Sequence, residues 1–144
     1  MEKGLEAYIQ EQFALPEIDI RSYSPLTLAY IGDGIYDLII RTIIVGKGNA
    51  RTKDLHHQTS HVVKAETQAK MSDKLMPFLN KEEESVYRRG RNAKSATMAK
   101  NASVIDYRKA TGFEALMGYL YLNNEMDRIV ELIKIGIHEI HLKL

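Results

Sequence analysis

The sequence predicts an all-α fold, with one domain over residues 1–144. Apolar residues recur at spacings of three and four along most of the chain, which is the pattern of helices with a buried face. The three prolines, Pro16, Pro25 and Pro77, stand where helices would begin or end. No segment alternates apolar and polar residues as a half-buried strand does. A length of 144 residues suits one domain with its own core.

Two helices are predicted in the first third of the chain. The first covers Leu5 to Phe13. The second begins where Ser24 provides an N-cap and Pro25 occupies the first helical position. Its apolar residues predict a long, largely buried helix, and it ends near Gly46, because glycine is favoured just after a helix.

The middle of the chain predicts two further helices and a loop. One unbroken helix is expected over roughly residues 52–75, and Pro77 stops it. Asn80 then caps a helix over 81–89, whose acidic first turn and basic last turn suit the helix dipole. Residues 90–101 show little hydrophobic periodicity and are predicted to form a loop.

Two helices complete the predicted fold. Ser103 opens a helix whose apolar positions continue to Leu120, and the pair Asn123 and Asn124 ends it. An amphipathic helix over residues 129–140 then closes the chain.

Two carboxylates stand inside apolar helical segments eighty residues apart. Asp33 lies in the segment Leu28-Ala29-Tyr30-Ile31-Gly32-Asp33-Gly34, and Glu114 lies in Phe113-Glu114-Ala115-Leu116-Met117-Gly118. A charge there costs free energy unless it is paired or binds a cation. We therefore predict that the two helices meet and share a divalent cation, since oxygen ligands suit Mg²⁺ or Mn²⁺. The alternatives are a local pair of Asp33 with Arg41 and a buried salt bridge of Glu114 with an arginine.

Gly32 and Gly34 flank Asp33 inside the predicted helix. Each glycine costs about 1 kcal/mol relative to alanine in a helix interior. The pair therefore indicates the close approach of another helix or of a ligand.

Positive charge is concentrated between Val86 and Lys109, where seven basic residues accompany one acidic residue. Since the whole chain has a net charge of only +1, the remainder of the chain is acidic. A basic zone on an acidic body is typical of nucleic-acid binding proteins. The alternative is a solvated helix face whose charges serve solubility.

Composition excludes some classes of function and indicates a cytoplasmic protein. The chain has no cysteine, so disulfide and thiolate chemistry are excluded. Its N-terminus lacks an apolar signal run, so we do not expect secretion. The strongly apolar stretch over residues 38–45 is broken by Arg41 and is too short to span a bilayer, so we expect no membrane association.

The two carboxylate segments resemble the metal-binding helices of the ribonuclease III catalytic-domain family in order, spacing and helical pattern. Between them, Arg88-Arg89-Gly90-Arg91-Asn92-Ala93-Lys94-Ser95 resembles the compact Mini-ribonuclease III members, which consist of the catalytic domain without a double-stranded RNA-binding domain. The resemblance covers roughly residues 24 to 124 and implies the ribonuclease III helical bundle.

Three acidic positions of that family's pattern are absent. Leu26, Ala29 and Thr111 stand where the family has carboxylates, so Asp33 and Glu114 are the two positions that match. We expect one well-held Mg²⁺, completed by waters and RNA phosphate oxygens. Asp37, one turn beyond Asp33, could assist through a water, and an ordinary solvated or paired carboxylate is the alternative.

The resemblance implies a hydrolase, a magnesium-dependent endoribonuclease that cuts double-stranded RNA to 5′-phosphate products, with Mn²⁺ as a substitute metal. Asp33 and Glu114 would be the catalytic and metal-binding residues. RNA phosphates would be bound by four basic residues, because guanidinium and ammonium groups suit phosphate oxygens. These residues are Arg88, Arg89, Arg91 and Lys94, with Lys100, Arg108 and Lys109 as weaker candidates.

The resemblance also implies partners and a cellular task. The task is maturation of the 23S ribosomal RNA precursor, with a large-subunit ribosomal protein as a further partner. Homodimerisation through the long helix would use Tyr30, Ile31 and Ile35. The alternative function is a non-catalytic double-stranded-RNA-binding or ribosome-assembly factor, since the missing acids are consistent with a degenerate site.

Three histidines, His56, His57 and His61, fall on one predicted helix. His57 and His61 have a spacing that can bind zinc, but the carboxylate-bearing motif of helical zinc sites is missing. We interpret the three as a polar surface stripe.

Overall fold

The structure is a computed structural model that describes residues 4–94 and 103–144, and all regular structure in these two ranges is helical. The predicted all-α fold is therefore confirmed, while the domain assignment over 1–144 stays a prediction. None of the helices in this part of the chain is long and apolar enough to cross a membrane. The helices are α1 (Leu5–Gln12), α2 (Pro25–Val45), α3 (Thr52–Val63), α4 (Ala65–Leu75), α5 (Lys81–Asn92), α6 (Val104–Leu122) and α7 (Met126–Glu139), with short 3₁₀ turns at Ile20–Ser22 and Met76–Phe78.

The predicted N-caps of three helices are confirmed. The side chains of Ser24 and Ser103 each accept a hydrogen bond from the backbone N–H three residues on, at 3.2 Å and 3.0 Å. Asn80 forms a reciprocal capping box with Glu83, in which each side chain accepts from the other residue's backbone N–H. Caps of this kind stabilise a helix by about 1 kcal/mol each, so they define where α2, α5 and α6 begin.

Helix α6 is the central element of the bundle, because it packs against α2, α4, α5 and α7. Its buried side chains include Phe113, Leu116 and Leu120. Phe113 meets the ring of Tyr36 on α2 edge to face, with ring centroids 4.9 Å apart. Over residues 110–121 this helix is buried on most of its circumference, so Glu114 lies close to neighbouring elements.

The backbones of α2 and α6 approach each other at two glycines. A Cβ atom on Gly32 would lie 1.7 Å from the backbone oxygen of Glu114, and one on Gly118 would lie 1.9 Å from that of Leu28. Neither position can therefore carry a side chain at this crossing. The close helix approach predicted at Gly32 is confirmed. A Cβ atom on Gly34, by contrast, would have no atom of another element within 4 Å among the described residues.

A second glycine pair joins α5 to the opposite part of α6. A Cβ atom on Gly90 would lie 2.9 Å from the Cα atom of Gly112, and one on Gly112 would lie 2.7 Å from the backbone oxygen of Tyr87. Gly90 serves this contact and does not end the helix, which continues to Asn92. The prediction that a loop begins at residue 90 is therefore wrong, and residues 95–101 of that loop lie outside the described part of the chain.

The unbroken helix predicted over residues 52–75 is wrong, because Lys64 interrupts it with an extended backbone at φ −67° and ψ 155°. Two side chains of α4 satisfy carbonyls that the interrupted helix leaves without an amide partner. The Thr67 hydroxyl donates to the His61 oxygen at 2.7 Å, and the Gln68 amide donates to the Val63 oxygen at 2.8 Å. Hydrophobic spacing continues through the break, so periodicity gives no sign of it.

A buried ion pair connects α5 to α7. Both carboxylate oxygens of Glu83 accept hydrogen bonds from Arg128, at 2.8 Å and 2.9 Å. Burial raises the pKa of Glu83, but the bonds from Arg128 and from the Asn80 backbone outweigh burial and leave that pKa below its usual range. The Arg128 guanidinium also donates to the Phe78 oxygen at 2.7 Å, which attaches the turn before α5 to the same pair.

Side-chain exposure along α2 corrects one predicted dimer contact. Ile35 is buried in the core among residues of several helices, so it is not available to a second molecule. Tyr30 is 82% exposed, and Leu26 and Leu38 on the same helix are exposed as well.

Gly32→Ala should lower the free energy of unfolding by at least about 2 kcal/mol, because the new methyl group would overlap the α6 backbone. Gly34→Ala is the matched control and should raise it by about 0.5–1 kcal/mol, since it adds helix propensity in open space. Urea denaturation followed by circular dichroism measures both. Equal effects of the two substitutions would contradict the crossing.

Candidate metal centre

The α2–α6 crossing brings Asp33 and Glu114 together. Gly32 lies against the backbone oxygen of Glu114, and the side chains of Asp33 and Glu114 interact electrostatically. The two carboxyl groups are close enough to share a hydrogen bond. The structure thus joins the two helices and the two carboxylates that the sequence singled out, and their role as metal ligands stays a prediction.

The two carboxyl groups have different surroundings. Asp33 is exposed, so the expectation of a charge stranded in an apolar environment is wrong for this residue. Glu114 is partly buried; burial, followed by the neighbouring Asp33, raises its pKa to about 8. The site is therefore open to solvent at Asp33 and enclosed behind Glu114.

Neither alternative partner for the two acids is found. Arg41 pairs with Asp37 at 2.7 Å, one turn beyond Asp33 on α2. No basic side chain in the described ranges forms an ion pair with Glu114. For Asp37 itself, the interpretation as an ordinary paired carboxylate fits the structure.

Two buried polar side chains, Gln68 and Tyr36, lie near Glu114. The sequence did not indicate Gln68 as a residue of the site. The Gln68 side-chain nitrogen on α4 lies 3.5 Å from Oε2 of Glu114. Tyr36 on α2 is fully buried, and its pKa is raised first by burial and then by the negative charge of Glu114. The sequence alone does not distinguish a buried glutamine from an exposed one, because burial depends on the neighbours that the fold places around it.

Two of the three positions without acids, Ala29 and Thr111, contribute no oxygen to the candidate centre. The methyl group of Ala29 packs in an apolar cluster with Leu28, Val86 and Ala115. The Thr111 hydroxyl donates to the Tyr107 oxygen of its own helix at 3.0 Å. Within residues 4–94 and 103–144, no three histidine or acidic side chains group as metal ligands.

The residues present nonetheless fit a divalent cation. Burial first, and the adjacent Asp33 second, raise the pKa of Glu114, so ionising this carboxyl group costs free energy. A divalent cation would relieve it, and Mg²⁺ commonly uses one or two protein carboxylates while keeping several waters. The donor set is therefore sufficient for one ion that retains much of its water shell.

The four predicted RNA-binding residues lie at the end of α5 and just beyond it, and they differ in how they are engaged. Arg88 pairs with Glu84 at 2.6 Å. Arg91 stacks over the Tyr87 ring, 6.0 Å from its centroid. Arg89 and Lys94 are exposed and form no ion pair with any described residue. Of the four residues, Arg89 and Lys94 therefore have the charges most available to an RNA phosphate.

The end of α5 adjoins the turn of α6 that carries Glu114. A Cβ atom on Gly90 would lie 2.8 Å from that of Ala115, the residue after Glu114. The packing of α5 on α6 thus places the start of the basic segment beside the helix that carries the metal centre.

The weaker basic candidates separate into three cases. Lys109 pairs with Asp73 at 2.8 Å and so ties α6 to α4. Arg108 is exposed, and Lys100 lies outside the described residues.

The histidines His56, His57 and His61 are all exposed on α3, which agrees with a polar surface stripe.

Comparison with known proteins gives a consistent result. Residues 26–125 match the Ribonuclease III domain, close to the range of the resemblance in the sequence. The Mini-ribonuclease 3 of Clostridium tetani is 46% identical over 132 residues, covering 91% of this chain and 86% of that protein. The Mini-ribonuclease 3 of a Thermoanaerobacter species is 42% identical over 140 residues, covering 97% and 99%. A crystal structure of a Fusobacterium nucleatum protein superposes with a TM-score of 0.77 at 31% identity, covering 85% of this chain and 99% of that one.

The raised pKa of Glu114 predicts a pH dependence of stability without divalent metal. Between pH 4.5 and 8 the folded protein holds the Glu114 proton and the unfolded chain does not. The free energy of unfolding therefore falls as pH rises, by at most about 1.4 kcal/mol per pH unit from this group. Urea denaturation in EDTA at several pH values measures the slope. Glu114→Gln should lose this component, and parallel profiles for the variant and the original protein would contradict the assignment.

Proposed function

Because this chain belongs to the ribonuclease III domain family and is an endoribonuclease of that family, we propose that it hydrolyses double-stranded RNA with Mg²⁺ held by Asp33 and Glu114. The observation that supports the metal centre is the contact of these two carboxyl groups at the α2–α6 crossing. No other pair of acidic residues in the described ranges combines proximity with a pKa raised this far.

The two carboxylates have separate tasks in this proposal. When bound, the cation would lower the pKa of a coordinated water and stabilise charge on the scissile phosphate. Glu114 gives up the proton that it holds below about pH 8, so that both acids can face the ion as anions. Asp33, exposed at the mouth of the centre, faces the side from which an RNA phosphate can arrive.

The basic segment would hold the duplex against this centre. Arg89 and Lys94 can contact phosphates directly, whereas Arg88 has to exchange its bond to Glu84, and Arg91 can use the edge of its stacked guanidinium. Phosphate contacts position a nucleic acid without reading its sequence, and double-stranded RNA is bound chiefly by shape and backbone.

We extend the proposal to a homodimer through the exposed face of α2. An aromatic side chain as exposed as Tyr30, together with Leu26 and Leu38, gives that helix an apolar surface that a second copy would cover. Two copies related by a two-fold axis would place one centre on each strand of the duplex.

The cellular part of the proposal rests on the family resemblance. It comprises maturation of the 23S ribosomal RNA precursor in the cytoplasm, a large-subunit ribosomal protein as a partner, and Mn²⁺ as a substitute for Mg²⁺. The second candidate function, a non-catalytic factor that binds double-stranded RNA, is favoured by the absence of acids at Ala29 and Thr111. Incubating a duplex RNA with the protein, with and without Mg²⁺, separates the two on a gel.

Asp33→Asn should reduce Mg²⁺-dependent cleavage of a duplex by more than about 100-fold, since loss of a ligand should exceed the effect typical of outer residues. Asp37→Asn is the matched control on the same helix and should cleave within a few-fold of the original protein, because Asp37 is occupied by Arg41. Gel assays of initial rates, with duplex affinity measured separately, test both. Undiminished cleavage by Asp33→Asn, with duplex binding intact, would sink the metal assignment.

Arg89→Ala and Lys94→Ala should each weaken duplex binding and reduce the slope of log affinity against log salt by about one unit. Arg21→Ala is the control, because Arg21 is paired with Asp19 in the turn before α2. Fluorescence anisotropy in EDTA at several salt concentrations measures the slopes without cleavage. A slope unchanged by either substitution would remove that residue from the RNA interface.

A further inference from the structure

Gln68 is a buried polar residue that the proposed reaction does not yet use. Its side chain is 2% exposed and lies in the first turn of α4, beside the break at Lys64. The amide nitrogen donates to the Val63 oxygen at 2.8 Å and stands 3.5 Å from Oε2 of Glu114. The amide oxygen Oε1 is buried and has no hydrogen-bond partner in the described part of the chain.

The bond to the Val63 oxygen at the helix junction accounts for the amide nitrogen of Gln68, but it leaves the buried amide oxygen unexplained. An amide oxygen buried without a partner costs free energy, and an apolar side chain of the same length would fill the space without that cost. Beyond its own helix junction, the described partner of the Gln68 amide is Glu114. The cost is therefore borne at a position where the amide can act on the candidate metal ligand.

We propose that Gln68 is a positioning residue that orients the Glu114 carboxylate towards Asp33; this inference rests on the proposed function of those two residues as metal ligands. The last torsion of a glutamate side chain is soft, so an unrestrained carboxylate samples many orientations. A donor placed against Oε2 restricts that rotation and leaves the other oxygen for the cation. Residues that orient a ligand in this way commonly change metal affinity or activity by 10- to 100-fold.

The donor is itself held in place, which is what a positioning role requires. The Val63 oxygen that anchors the amide belongs to the last residue of α3. The Ser72 hydroxyl donates to the backbone oxygen of Gln68 at 2.9 Å and also approaches the Lys109 oxygen on α6, at 3.4 Å. The break between α3 and α4 thus serves to present Gln68 to α6.

The test measures binding of Mn²⁺ to the intact protein by electron paramagnetic resonance, with Mg²⁺ as competitor, so that it does not depend on cleavage. Gln68→Met keeps the length of the side chain and removes the amide, and Gln68→Ala is a second variant. Thr67→Val is the matched control, because it removes a junction bond at the same break without touching Glu114. Glu114→Gln is included to test the proposed metal centre itself.

Gln68→Met should lower Mn²⁺ affinity by about 10-fold or more while the variant remains folded. Cleavage should then need more Mg²⁺ for half-maximal rate while the KM for duplex RNA stays unchanged. Thr67→Val should keep its Mn²⁺ affinity. Unchanged affinity in Gln68→Met or Gln68→Ala, an equal loss in Thr67→Val, or unfolding of both Gln68 variants would overturn the positioning role. Unchanged affinity in Glu114→Gln would instead overturn the metal centre.

Discussion

The close approach of α2 and α6 at Gly32 and Gly118 is the constraint on which the rest of the structure depends. Two helices whose backbones touch have almost no freedom to slide or rotate, because any displacement forces backbone atoms together. That rigidity sets the position of Asp33 relative to Glu114. The proposed metal centre depends on this rigidity, because two side chains that share one small ion have to be held at a fixed distance from each other.

Helix α6 makes a second close contact, with α5. Gly112 admits α5 at Gly90, and the basic end of α5 then leads away from the turn that holds Glu114. The acidic side chains of the candidate centre thus lie on α2 and on α6 itself, and the basic residues lie at the end of α5, which packs on the same central helix. The energetic cost lies in Glu114, because burial first and the neighbouring Asp33 second raise its pKa to about 8. A bound cation would offset this cost of ionising Glu114.

Much of this arrangement could be predicted from the sequence, and the failures share a cause. Helix content, three N-caps and the meeting of Asp33 with Glu114 follow from local spacing and from a pattern of residue types. The break at Lys64 and the burial of Gln68 do not, because α4 keeps the periodicity of α3 and the contact of Gln68 with Glu114 lies across the bundle on α6. Likewise, weak hydrophobic periodicity predicts a loop from residue 90, because a sequence does not show which helix packs against Gly90.

The most direct test of the central claim is anomalous diffraction from crystals of the protein soaked in Mn²⁺. We expect one strong anomalous peak between the carboxylates of Asp33 and Glu114, at about 2.0–2.2 Å from an oxygen of each, as for a small octahedral cation. The Gln68 amide should remain in hydrogen-bonding contact with Glu114 beside that peak. An absent peak at saturating Mn²⁺, or a peak held by other residues and not by these two carboxyl groups, would contradict the proposed centre.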